Sequence, residues 1–289
     1  MIPVSITQFL LLAFADTWEL QLLHFWLFLG ISLAALLGNG LIITTIACDH
    51  HLHTPMYFFL LNLSLLDLSL LNLGSISTTL PKVMANSLWD TRDISYAGCA
   101  AQVFLFLFLI SSEYFLLTVM AYDRSIVICK PLHYGTLLGT CVHMAAAAWG
   151  TGLLNSLLYT AKTFSLPLCQ GNAVDQFFYG LLVVSTCLVY VGFIFIMLSY
   201  VNILRAVLRI PSEQGQHKAF STCLPHLAVV FLFINTSFFA YLNLSSISSS
   251  SLDLVMAVLY SILPPAVTPL IYSMRNQELK GTGLFPCSL

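Results

Sequence analysis

Charge is what this chain has least of. Asp, Glu, Lys and Arg make up 8% of it, against roughly 25% in an ordinary soluble domain. A soluble protein of 289 residues could not cover its surface with so little charge, and 58% of the residues are hydrophobic. The composition therefore describes a polytopic membrane protein. Other absences narrow the function. There is no basic arm and no aromatic-basic strip, and 10 Lys+Arg against 12 Asp+Glu give a net charge of −2, so nothing points to nucleic acid. The eight cysteines form no C-x-x-C pair, which argues against a zinc or thioredoxin-like site. No H-E-x-x-H, Walker loop, G-x-S-x-G or G-x-G-x-x-G occurs, so the chain is not expected to be an enzyme. The N-terminal stretch lacks a basic n-region and reads as a short exposed segment rather than a cleaved signal peptide.

What is present is a series of seven apolar spans: Leu22–Cys48, Pro55–Val83, Gly98–Ile128, Val142–Thr160, Leu181–Val207, Ala219–Leu242 and Leu252–Ser273. Inside hydrocarbon every backbone polar group needs an internal partner, so these spans are expected to be helices. The connections are short. The expected fold is an all-α membrane protein, a seven-transmembrane helix bundle. Segment 1–21 lies outside, 22–275 forms the bundle and 276–289 is a short cytoplasmic tail. Lys and Arg set the orientation. Arg124, Lys130, Arg205, Arg209, Lys218, Arg275 and Lys280 fall on one side and Lys82, Arg92 and Lys162 on the other. The N-terminus is therefore outside and the C-terminus cytoplasmic. Pro81, Pro225, Pro264, Pro265 and Pro269 lie within or at the ends of spans, where they can kink or hinge a membrane helix.

The third span carries the most information. Phe106, Ile110, Glu113, Leu117, Met120 and Arg124 step by four and three, so they share one helix face. An arginine beside hydrocarbon is costly and calls for a role. Asp67 and Glu113 are mid-membrane carboxylates on neighbouring spans, with Asn39 at a matching level. Two close negative charges there imply a bound cation, a shared proton, or both; a hydrogen-bonded protonated pair with no ion is the plainer alternative. His50, His51 and His53 read as a solvated loop, since their spacing is not that of helix-face metal ligands. Asn62, Asn235 and Asn243 begin N-x-S/T patterns, but the first two lie inside spans and only Asn243 is a candidate for glycosylation.

Several segments, in order, resemble the rhodopsin-like G-protein-coupled receptors, and odorant receptors in particular. They are Gly38-Asn39, PMYFFLLNLSLLD (55–67), MAYDRSIVICKPLHY (120–134), SYVNILRAVLRIPS (199–212), KAFSTCLPHL (218–227) and PPAVTPLIYSMRNQELK (264–280). The resemblance implies a pocket for a small volatile odorant in the outer half of the bundle. Phe106, Leu107, Ile110, Ser111 and Tyr114 would face Ser237, Phe238, Tyr241, Val258 and Ser261. That set is mostly apolar with a few hydroxyls. The resemblance also implies a sodium-type site at Asp67 and Glu113, within a polar network that includes Asn39 and Thr268. It implies an inner switch in which an Asp123–Arg124 ion pair holds the third helix and Arg124 is released to meet a stimulatory heterotrimeric G protein. Lys218, Ser221, His226 and Tyr272 belong to the same inner region. His226 serves either a pH-sensing or a plain hydrogen-bonding role. The protein would then be a multi-pass receptor of the plasma membrane.

This sequence departs from the family pattern in four places. The second outer loop is short and has Tyr179 where the usual partner of Cys99 stands, which leaves Cys99–Cys169 as the candidate disulfide. Ser125 follows Asp-Arg where tyrosine is usual, and Thr268 precedes Pro269 where asparagine is usual. The tail GTGLFPCSL ends any membrane-surface helix early. Two other readings stand beside the working receptor. One is a degenerate, silent copy, and the other is a small transporter or channel using Asp67 and Glu113. Paired broken repeats would favour the transporter, and the sequence has none.

Overall fold

The computed structural model describes residues 8–10, 18–48, 54–74, 93–129, 138–165, 172–245 and 263–272. Among them are seven helices, which we number α1 (Trp18–Cys48), α2 (Pro55–Gly74), α3 (Tyr96–Cys129), α4 (Leu138–Ser165), α5 (Asn172–Leu208), α6 (Glu213–Ser245) and α7 (263–272). One falls in each expected span. α1, α5 and α6 begin several residues before the apolar runs they contain, because helical hydrogen bonding continues past the hydrophobic boundary. Of the expected spans, 75–83 and 252–262 lie outside the described residues, as do the histidine loop and the C-terminal tail. Four helices are long and apolar enough to cross a membrane by length and composition. At 1.5 Å per residue, the 34 residues of α3 extend about 50 Å, more than a bilayer's hydrocarbon core.

One element was not expected. Gln8–Leu10 (β1) pairs antiparallel with Asp93–Ser95 (β2), Gln8 facing Ser95 and Leu10 facing Asp93. β2 immediately precedes α3. Outside the hydrocarbon, extended backbone can satisfy itself by pairing across segments, and a three-residue ribbon leaves no apolar pattern for the sequence to announce.

α3 is the axis of the bundle. It packs most extensively with α4, then with α5 and α2. The core follows from this: Phe59, Leu60, Leu63 and Leu66 of α2 and Leu116, Leu117 and Met120 of α3 are almost fully buried. α4 approaches α3 through small residues. Ala145 and Ala148 are buried, and a Cβ on Gly152 would stand 2.8 Å from the Ser112 backbone nitrogen. Apolar helices gain little by association inside lipid, so such small-residue contacts, which let backbones touch, supply the packing. The other faces carry bulky apolar side chains outward, such as Leu37 at 69% and Phe231 at 68% exposure. In water such a surface would drive aggregation; against lipid it is the required surface.

α1 and α7 are joined by a compensation. Pro269 has no N–H, so the carbonyl of Pro265, one turn earlier, lacks its helical donor. Asn39 Nδ2 donates to that carbonyl at 2.9 Å, and to Ala35 O at 3.0 Å. Gly38 permits the approach, since a Cβ there would fall 2.8 Å from Pro269 Cβ. Pro225 lies inside α6. In the turn just before it, the Ser221 and Thr222 hydroxyls both donate to the Lys218 carbonyl.

Candidate functional site

The outer half of the bundle holds a cleft of about 530 Å³ between α3, α5 and α6. Ile110, Ser111, Tyr114 and Phe115 come from α3, Thr186, Val189, Tyr190 and Phe193 from α5, and Phe233 and Ile234 from α6. It is an open cleft, because its α5 wall faces outward: Tyr190 is 64% exposed. Tyr114 organises the floor. Its hydroxyl donates to the Val189 carbonyl at 2.6 Å, and its ring stacks on Phe233 at 6.1 Å between centroids. Gly192 makes room for it, since a Cβ there would lie 2.9 Å from the Tyr114 hydroxyl. Behind the cleft, Asn155 of α4 donates Nδ2 to Ser111 Oγ at 2.9 Å, and the Tyr159 and Thr186 hydroxyls are 3.5 Å apart.

Three of the expected pocket residues, Ile110, Ser111 and Tyr114, line this cleft. Phe106 and Leu107 do not. Phe106 lies one turn further out and is 38% exposed; helical spacing fixes its direction, but burial depends on what stands opposite. The side chains of Ser237, Phe238, Tyr241 and Asn243, though on α6, and the whole of Val258 and Ser261 lie outside the described set. The ligand was expected between the third, fifth, sixth and seventh spans, but no residue of the fifth was named. α5 is apolar on every face, so no periodicity marks the side that turns inward. Gly192 was the available signal, a small residue amid bulky ones where a neighbouring ring must fit.

Below the cleft is a buried polar centre. Asp67 is fully buried and Glu113 is 2% exposed, and the two are close enough for their charges to interact. Both Asp67 oxygens, Glu113 Oε1 and Ser64 Oγ, one turn before Asp67, make no hydrogen bond. Asn39 Oδ1 is likewise unpartnered, although its amide nitrogen is used twice. Orphaned buried oxygens are expensive. A donor set of oxygens alone suits a hard cation, so these residues fit a sodium ion. Among the described residues no group of three or more His, Cys, Asp or Glu is gathered for a metal. Thr268 is buried but donates to the Pro264 carbonyl of its own helix.

At the inner end, Arg124 is 3% exposed and its Nε has no partner. Asp123, beside it on α3, is also buried, and Arg124 lies within electrostatic reach of Tyr200 on α5 and His226 on α6. His226 is fully buried and its Nδ1 is hydrogen-bonded to the Tyr200 hydroxyl, whereas its Nε2 is unpartnered. Ile203, Val207 and Cys223, packed against Ile128 and Ala219, close this end. Tyr272 is buried in the main core, Ser221 is half-buried, and Lys218 is exposed. The expected Cys99–Cys169 bridge is not made: Cys99 is a half-buried free thiol at the start of α3, where the long helix fixes its direction, and Cys169 lies outside the described residues. Cys48, by contrast, is disulfide-bonded, which the sequence did not suggest.

Residues 38–272 match the family described as 7 transmembrane receptor (rhodopsin family). Olfactory receptor 14A16 of Homo sapiens is 46% identical, the alignment covering 95% of this chain and 94% of the relative. Human olfactory receptors 14I1 and 14J1 are each 45% identical over 96% of this chain, covering 94% and 91% of their own lengths. The chain belongs to the olfactory receptors of the rhodopsin family. This membership makes it a receptor, not an enzyme, and it gives the transporter reading no support. The receptor's matched region runs from Gly38 to Tyr272 and so takes in the cleft, the polar centre and the inner end.

Proposed function

We propose that the receptor detects a small volatile molecule in the cleft between α3, α5 and α6 and activates a stimulatory G protein across the plasma membrane. The observation that carries this reading is the load on α3. One rigid helix supplies Ile110, Ser111 and Tyr114 to the cleft, Glu113 to the polar centre and Arg124 to the inner end. Arg124 is sealed from solvent by α5 and α6, which is the resting arrangement a signalling bundle needs. About 16 Å separates Glu113 from Arg124 at 1.5 Å per residue. A small displacement at the cleft therefore reaches the inner end by rigid helix motion. Opening α6 away from α3 would uncover Arg124 for the G protein, with Pro225 as the flexible point.

We further propose that Asp67, Glu113 and Ser64 hold a sodium ion in the resting state. The cation would neutralise the buried carboxylate charge and favour close packing of α2 against α3. The support is the set of orphaned oxygens.

The test is cyclic AMP in cells that express an olfactory stimulatory G protein and receptor chaperones, with surface protein measured alongside. The expected result is an odorant-evoked rise that Arg124→Ala abolishes at equal surface level. A rise that survives Arg124→Ala, or that does not need the G protein, contradicts the reading. Protein held inside the cell would point to a silent copy.

A further inference from the structure

Many hydroxyls of this bundle bond back into their own helix, while those of Ser64, Ser112 and Thr160 are buried without a partner. Thr44, Ser69, Thr118, Thr151 and Thr163 each donate to the carbonyl four residues back in their own helix. That is the usual fate of a hydroxyl in a membrane helix, since no water competes for it. Ser111 is different. It lines the cleft, and its Oγ is an acceptor, taking the Asn155 Nδ2–H from α4 at 2.9 Å. No other hydrogen bond of Ser111 exists among the described residues. Asn155 thus occupies a lone pair and leaves the Ser111 proton uncommitted at the cleft wall.

Of the other described polar groups around the cleft, Tyr114 and Thr186 are engaged, while the Tyr190 hydroxyl, on the outward-facing α5 wall, makes no hydrogen bond among the described residues. The Tyr114 proton goes to the Val189 carbonyl, and Thr186 faces the Tyr159 hydroxyl. The remaining walls from α3 and α6 are Ile110, Phe115, Phe233 and Ile234. Among the described residues, the α3 and α6 walls of the cleft therefore offer one free donor, Ser111, in a hydrocarbon lining.

We infer that Asn155, although not itself part of the cleft lining, is a positioning residue that fixes Ser111 as a hydrogen-bond donor, and that the cleft selects apolar molecules bearing one acceptor, such as aldehydes, ketones and esters. This rests on the cleft being the ligand site. An alcohol of the same skeleton can accept the Ser111 proton, but its own proton then enters an apolar wall without a partner. A donor left unpaired in such a place costs more than the bond gained. A hydrocarbon forgoes the bond and leaves the Ser111 proton unsatisfied.

The experiment uses the full chain in the cyclic AMP assay, with matched sets of aldehyde, methyl ketone, ester, primary alcohol and alkane on several carbon skeletons. The quantity read is the potency ratio of carbonyl compound to alcohol on one skeleton. The inference expects a ratio of about tenfold or more in the natural sequence. Asn155→Leu frees Ser111 to bond its own helix, and the ratio should fall to near one. Asn155→Asp presents an acceptor to Ser111, turns the hydroxyl round and should shift preference toward the alcohol. Ser111→Ala reads the same bond from its other partner. Adding Asn155→Leu to it should change the ratio no further, because the two residues act as one unit.

A merely structural Asn155 would weaken all compounds equally, and that result overturns the inference. So does a ratio that survives Ser111→Ala, or a panel that activates only through alcohols or alkanes, or not at all. Basal cyclic AMP that falls in Arg124→Ala, read in the same cells, shows separately whether the signalling reading stands.

Discussion

The cleft and the polar centre are neighbours on one helix, yet they treat their polar groups in opposite ways. In the cleft, Tyr114 and Ser111 are tied to α5 and α4 by short hydrogen bonds. Within a turn of the same helix the carboxylate of Glu113, with that of Asp67 and the hydroxyl of Ser64 from α2, is buried without a partner, and so is the guanidinium Nε of Arg124 three turns further in. Side chains tied by hydrogen bonds to a neighbouring helix hold their geometry; buried groups without partners are primed to change when an ion, a proton or a helix shift completes them. The difference teaches where each job sits. The proposed function puts recognition in the outer half, where the side chains are tied, and the response in the interior, where they are not.

The largest expected effect removes the frame both regions share. Gly152→Leu drives a side chain into the Ser112 backbone. Overpacking of this kind costs about 1–3 kcal/mol or more, so surface protein should fall severely on a cell-surface antibody assay. The comparison is sharpened next by Asp67→Asn. If the polar centre holds sodium in the resting bundle, raising sodium lowers odorant potency in the natural sequence by about fivefold or more. Asp67→Asn should remove that dependence, while potency in sodium-free medium changes little. A dose-response series in sodium against an organic cation measures it. Tyr114→Phe deletes a satisfied bond in the cleft and should cost about 1 kcal/mol, or about fivefold in potency, with sodium dependence retained. Gly192→Ala is the mildest. Its Cβ meets the hydroxyl end of the Tyr114 side chain, not backbone, and a small shift of the ring relieves the contact, so potency should drop by about twofold to threefold.

The sequence makes the bundle legible because hydrocarbon leaves the backbone few options. Each of the seven apolar runs contains a described helix. The stripe on α3 put Phe106, Ile110, Glu113, Leu117, Met120 and Arg124 on one face; the last four are buried, Ile110 is half-buried and Phe106 is 38% exposed. What stayed hidden depends on a partner that spacing cannot name. Asn39 was legible as a polar residue at the right depth, but not as the donor that replaces the missing N–H of Pro269. Asn155 drew no notice because a lone amide on α4 gains meaning only from Ser111 across the interface. The α5 wall was hidden by its own uniformity, since a helix apolar all round declares no inner face.

The central claim is that the cleft between α3, α5 and α6 is where the odorant acts. Ile110→Trp fills that cleft from α3 and directly tests it, with odorant-evoked cyclic AMP compared to the natural sequence at equal surface protein. The account predicts that the evoked response disappears across the odorant concentrations that activate the natural receptor. An unchanged dose-response curve in the Ile110→Trp receptor would contradict it and place the ligand elsewhere in the bundle.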